Sequence, residues 1–116
     1  MKVQYSCHVV VSADRGMLNR IMREFDPTIL RPVGEVDVDD RGSVIVYSFE
    51  CDSAIDVERL AEASGEWPDA KIEAVWIING DEVGSAAIAA GAFVDFSPRH
   101  KFMLIDLLYA SLDLRR

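Results

Sequence analysis

The chain is 116 residues long, half of them apolar, and carries 20 Asp/Glu against 12 Lys/Arg for a net charge of −8. That length suits one domain with its own core and is short for two. No stretch reaches the ~20 apolar residues of a membrane span, no apolar leader opens the sequence, and an acidic field disfavours nucleic acid and anionic membranes as direct partners. The expectation is one cytosolic domain with its thiols reduced.

Val3, Tyr5, Cys7, Val9 and Val11 alternate with Lys2, Gln4, Ser6, His8 and Val10, the period of a strand with one well-buried face. Ser12 is placed to cap a helix with Asp14 in its first turn. Met17, Leu18, Ile21, Met22 and Phe25 then recur at three- and four-residue spacing until Asp26-Pro27 ends it. Beyond Pro32, Val36 and Val38 alternate with Glu35, Asp37 and Asp39. After the turn Asp40-Arg41-Gly42, Ile45, Tyr47, Phe49 and Cys51 share one side, and the two runs make a hairpin. Ser53 and Asp56 resemble a capping box before a second helix, in which Ile55, Val57, Leu60, Ala61 and Ser64 form the apolar face and Gly65 the end. Ile72, Ala74, Trp76 and Ile78 alternate with Lys71, Glu73, Val75 and Ile77. This strand is apolar on both sides at its far end and belongs in the middle of a sheet or under a cover.

The order β-α-β-β-α-β predicts an α+β fold, a ferredoxin-like antiparallel sheet over residues 1–80 with two helices on one face. Residues 81–116 extend this single domain: a turn at Asn79-Gly80-Asp81, a strand over 83–90, a turn at Gly91 into Phe93-Val94-Asp95-Phe96, and Ser97-Pro98 opening a closing helix. That helix is apolar all round, which predicts burial inside the domain, against the open face of the sheet, or between two copies of the chain. Phe102, Ile105, Leu108 and Leu112 are the candidate homodimer contacts.

Catalytic and metal signatures are scarce. Cys7 and Cys51 have no Cys-x-x-Cys spacing, His8 and His100 are isolated, and neither a nucleophile elbow nor a phosphate loop is present. Cys7 and His8, adjacent in a strand, point to opposite faces and make no catalytic pair. A disulfide between Cys7 and Cys51 is disfavoured, because the third strand of such a sheet would bring Cys51 to the start of the first strand and not to its middle. Asp37, Asp39 and Asp40 lack the ligand order of an EF-hand. No cofactor, metal or enzymatic activity is expected.

Charge is the strongly uneven feature. Residues 35–82 hold fourteen acids against Arg41, Arg59 and Lys71, a net −11, while the segments on either side are weakly positive. Periodicity assigns Glu35, Asp37, Asp39 and Asp40 to the hairpin, and Asp56, Glu58, Glu62, Glu66 and Asp69 to the second helix and its exit. If the two elements share an edge, these carboxylates form a ribbon that attracts a basic protein surface.

Two stretches, Phe25-Asp26-Pro27-Thr28-Ile29-Leu30-Arg31-Pro32-Val33-Gly34-Glu35 and Ala61-Glu62-Ala63-Ser64-Gly65-Glu66-Trp67-Pro68-Asp69-Ala70-Lys71-Ile72-Glu73, together with Gly84-Ser85-Ala86-Ala87, resemble the YubB-type ferredoxin-like proteins of plasmids and phages. Asp14-Arg15-Gly16-Met17-Leu18-Asn19-Arg20-Ile21 is similar to the strand-to-helix motif of ACT domains. The first resemblance implies a mobile-element origin, and the second an amino-acid-binding regulatory domain. With the charge, the expectation is a non-enzymatic acidic module, phage- or mobile-element-encoded, that blocks a basic nucleic-acid-binding complex by mimicking phosphate, as an anti-CRISPR or other anti-defence inhibitor would. A generic structural or interaction protein and an ACT-like ligand-binding regulator are the alternatives, and acidic surfaces also serve solubility alone.

Overall fold

The computed structural model describes residues 4–78 and 81–95. Its strands are β1 (Tyr5–Ser12), β2 (Asp37–Asp40), β3 (Val44–Cys51), β4 (Lys71–Ile78), β5 (Asp81–Ala89) and β6 (Ala92–Asp95). They form one sheet in the order β2-β3-β1-β4-β5-β6, every neighbouring pair antiparallel. Two helices, α1 (Arg15–Glu24) and α2 (Val57–Ser64), make the crossovers. α1 carries the chain from β1 to β2 and leaves a place that β3 fills; α2 carries it from β3 to β4 past β1. β4 is thus a central strand, in keeping with its apolar residues on both sides, and the 83–90 segment is a strand despite its small side chains.

The helix caps correct the sequence reading. Asp14, not Ser12, caps α1: its carboxylate accepts from the Met17 N–H at 2.9 Å, while Ser12 is still the last residue of β1. Asp56 caps α2 by accepting from the Arg59 N–H at 3.1 Å, so the helix starts at Val57 and leaves Ser53 and Ile55 outside it. A carboxylate directly before the first turn satisfies an orphan N–H and meets the positive end of the helix dipole, and it wins over a hydroxyl two or three residues further back. After α1 the chain forms an unforeseen 3₁₀ turn, Pro27–Leu30, whose Asp26 cap accepts from the Thr28 N–H at 3.0 Å.

The β5–β6 turn is clamped to α2. Ala90 and Gly91 both have positive φ, 50° and 86°, as a type I′ hairpin loop requires. The buried Ser64 hydroxyl donates to the Ala61 carbonyl at 2.6 Å and accepts from the Gly91 N–H at 3.0 Å. Gly65 ends α2 in the ordinary right-handed region, where a Cβ would come within 3.2 Å of the Glu62 carbonyl oxygen.

One sheet face and the helices enclose the main core: Cys7, Val9, Val11, Ile45, Tyr47, Phe49, Ile72 and Ile88 pack with Leu18, Ile21 and Leu60. Phe25 joins α1 to both neighbours, edge-on to Tyr47 at 5.1 Å and to Trp67 at 5.7 Å. β1 pairs Tyr5 with Cys51 and Cys7 with Phe49, so the two buried thiols are diagonal neighbours; they are not bridged, and they donate to the Tyr5 and Leu30 carbonyls. Burial raises the pKa of both, and diagonal backbone positions ~7–8 Å apart exceed the reach of a relaxed disulfide. The other sheet face carries Ser6, His8 and Val10 from β1, with Val10 and Val46 in a small separate cluster. Phe102, Ile105, Leu108 and Leu112, like the turn residues 79–80, lie outside the described residues.

Candidate acidic binding site

The site starts from the turn between β2 and β3. Gly42, with φ 88°, allows a two-residue loop, and the Asp40 carboxylate accepts from its N–H at 3.0 Å. The Arg41 N–H donates to the Val44 carbonyl at 2.8 Å, which closes the hairpin and sets the phase of the ladder. With Asp39 opposite Val46 and Asp37 opposite Ser48, those two residues direct their backbone groups to β3, and Val38 and Asp40 direct theirs outward. Side chains alternate as well. Asp37 and Asp39 therefore share the sheet face of Ser48 and His8, away from the helices.

On that face one row runs across three strands, Asp37 opposite Ser48 and Ser48 opposite His8, with Glu50 opposite Ser6 one step along. The row borders an open concavity of about 420 Å³ lined by Ser6, His8, Glu35, Asp37, Ser48 and Glu50. His8 Nδ1 lies 3.0 Å from Ser48 Oγ, and Ser6 Oγ donates to Glu50 Oε1 at 3.2 Å. Burial lowers the His8 pKa and so favours the neutral ring, against the opposing pull of the Glu50 carboxylate. A neutral histidine hydrogen-bonded to a serine has the first two parts of a nucleophilic dyad. The other parts, an acid orienting the ring and a pair of free N–H donors, are not seen among the described residues: the Ser48 N–H is committed to β2 by the same ladder phase. What the concavity presents is negative charge. Among the described residues no Lys or Arg pairs with Glu35 or Asp37.

The other hairpin acids already have cations. Asp39 pairs with Arg41 at 2.6 Å, and Asp40 is forked by Arg15, whose Nη1 and Nη2 donate to its two oxygens at 2.8 and 2.9 Å. The Arg15 guanidinium, with help from the Gly42 N–H, holds the Asp40 carboxyl down at about 2. These two acids fasten the turn to its own strand and to the start of α1.

The structure divides the nine expected carboxylates into two separate groups. α2 makes its strand contacts with β5 and β6, whereas β2 is the opposite edge of the sheet. Glu58 and Asp69 are exposed, Glu62 and Glu66 line a second recess of about 510 Å³ with Arg59 and Ile29, and Asp56 lies 3.7 Å from Arg59. A continuous ribbon from the hairpin to the second helix is not formed. Sequence reasoning also passed over Ser6, His8, Ser48 and Glu50. The period-two pattern does put them on the face without the core, and the Gly42 turn fixes the register that brings them beside Asp37.

No family model matches the chain, and neither the curated proteins nor the solved structures contain a match. Among the described residues no helix is long and apolar enough to cross a membrane, and no group of three or more His, Cys, Asp or Glu is arranged to hold a metal ion.

Proposed function

We propose that the chain is a ferredoxin-like, non-enzymatic acidic module that binds a basic segment of another protein at the β2–β3 concavity. Its most specific form is the mobile-element inhibitor, in which Glu35, Asp37 and Glu50 take the place of phosphates on a nucleic-acid-binding surface. The observation that carries the reading is the pair Glu35 and Asp37, which no cation among the described residues meets at the rim of a concavity, while Asp39 and Asp40 beside them are ion-paired. An unpaired carboxylate beside a polar hollow favours a guanidinium or ammonium group supplied from outside, because forming that contact breaks no internal pair. The β-α-β-β-α-β order with strands arranged 2-3-1-4 supports the ferredoxin-like assignment.

The test separates a site from net charge. Glu35→Lys, Asp37→Lys and Glu50→Lys are combined in one variant, and Glu58→Lys, Glu62→Lys and Glu66→Lys in another with the same charge change. Exposed ion pairs contribute ~0.2–1 kcal/mol each, so the hairpin variant should lose about tenfold in affinity for an immobilised Lys/Arg-rich peptide at low salt, and the α2 variant much less. Equal losses would reduce the binding to net charge and overturn the proposal. For the inhibitor form, a partner captured by the parent chain should release bound nucleic acid as the chain is titrated in; a partner that holds both at once would overturn that form alone.

A further inference from the structure

Resting on that reading, we infer that the partner's basic segment binds as an added β-strand along the outer edge of β2. Four features of this edge converge. β2 is the terminal strand of the sheet, and the hairpin phase turns the N–H and C=O of Val38 and Asp40 outward, where no described strand meets them. Val38 is 51% exposed, the most exposed large apolar side chain among the described residues. The edge has none of the usual protections of Lys, Pro or a bulge within Asp37–Asp40. It is protected by acid instead, which repels a second copy of the same edge and accepts a basic strand.

The register states what that strand must contain. Side chains of an added strand alternate between the faces as those of β2 do. Residues beside Asp37 and Asp39 lie on the face of the concavity, where Asp37 and Glu35, without a cation among the described residues, favour Lys or Arg. The residue between them lies beside Val38 on the other face, where an apolar side chain covers exposed surface. The recognised segment is therefore extended and alternates basic, apolar, basic. Backbone pairing supplies affinity, and the concavity selects the basic position.

A fluorescent peptide of alternating Lys and Val is the probe, compared by anisotropy with the same peptide N-methylated on alternate backbone nitrogens. The parent chain should bind the plain peptide and lose at least tenfold with the methylated one, because methylation removes donors and blocks edge pairing without changing charge. Val38→Pro should cause a similar loss. It deletes an outward N–H and leaves the ladder from Asp37 and Asp39 to β3 intact, as proline on an edge strand permits. Equal, salt-sensitive binding of both peptides would overturn strand addition and leave the acidic site standing. Binding of neither would remove the acidic site as well. If Val38→Pro fails to fold by circular dichroism, the methylated peptide against the parent chain decides the question.

Discussion

Gly84 lets the Trp76 indole lie across β5 on the face away from the proposed site, and replacing it by Ala tests that packing. The register sets Gly84 opposite Trp76, next to a slip in pairing between Trp76 and Ile77. A Cβ built on Gly84 would overlap the indole at Cε2, Nε1 and Cζ2, so the ring must leave its position. Trp76 is partly buried against the main core. A tryptophan covers 150–250 Å², and losing roughly half of that contact at ~25 cal/mol per Å² costs about 2–3 kcal/mol. Removing a glycine from a strand interior returns about 0.5–1 kcal/mol. The expected net loss is about 2 kcal/mol, a fall in Tm of roughly 8 °C for a chain of this size. Urea and thermal unfolding followed by circular dichroism measure it. In a Trp76→Leu background the obstruction is gone, and Gly84→Ala should be neutral or slightly stabilising. A loss under ~0.5 kcal/mol in the parent chain, or the same loss in both backgrounds, would refute the argument.

Ser64→Ala removes the acceptor of the Gly91 N–H and should cost ~1–3 kcal/mol, read from the urea midpoint; a midpoint unchanged within error would mean that water replaces the clamp. Burial raises the Glu73 pKa, so the folded chain binds a proton that the unfolded chain has released. The stability this group contributes is complete below the ordinary glutamate range and is lost as pH rises through the raised value. Glu73→Gln should therefore match the parent in acid and exceed it at neutral pH in urea unfolding, and an advantage independent of pH would contradict the sign. Cys7 and Cys51, buried with raised pKa values, should resist a thiol reagent such as Ellman's reagent at pH 8 in the native state and react on unfolding. Fast labelling of the native chain would disprove their burial.

Much of the sheet was legible because its information is local. Cys7, Val9 and Val11 alternate with Ser6 and His8, and Gly42 sits between two alternating runs; these patterns specify which strands exist and which face each residue takes. The caps were misplaced because Ser12 and Ser53 are acceptable N-caps by composition. The choice of Asp14 and Asp56 depends on where β1 ends and where Ile55 is drawn into the core. The site was half legible. Glu35 and Asp37 stand out as charges, but His8 and Ser48 are forty positions apart, and they meet only because β1 pairs with β3. The charge-rich segment 35–82 suggested one surface because it is continuous along the chain. Hairpin and helix instead lie on different parts of the sheet, since α2 must cross back past β1 before β4 can pair.

That separation changes what the charge can do. Of the carboxylates in the 35–82 segment, Asp56 caps a helix and Asp39 and Asp40 are tied to Arg41 and Arg15, so their charge is partly spent on the fold itself. The field of the whole chain, −8 in total, acts over about a Debye length and would draw the proposed basic partner toward any acidic side, α2 included. Selection must then come from short-range contacts that the field does not supply. On the proposed reading the β2 edge offers these: outward backbone groups, an exposed Val38 and two carboxylates that meet no cation among the described residues. On this proposal, long-range attraction and short-range recognition are assigned to different residues. Charge reversal on α2 should slow association, while disruption of β2 should hasten dissociation.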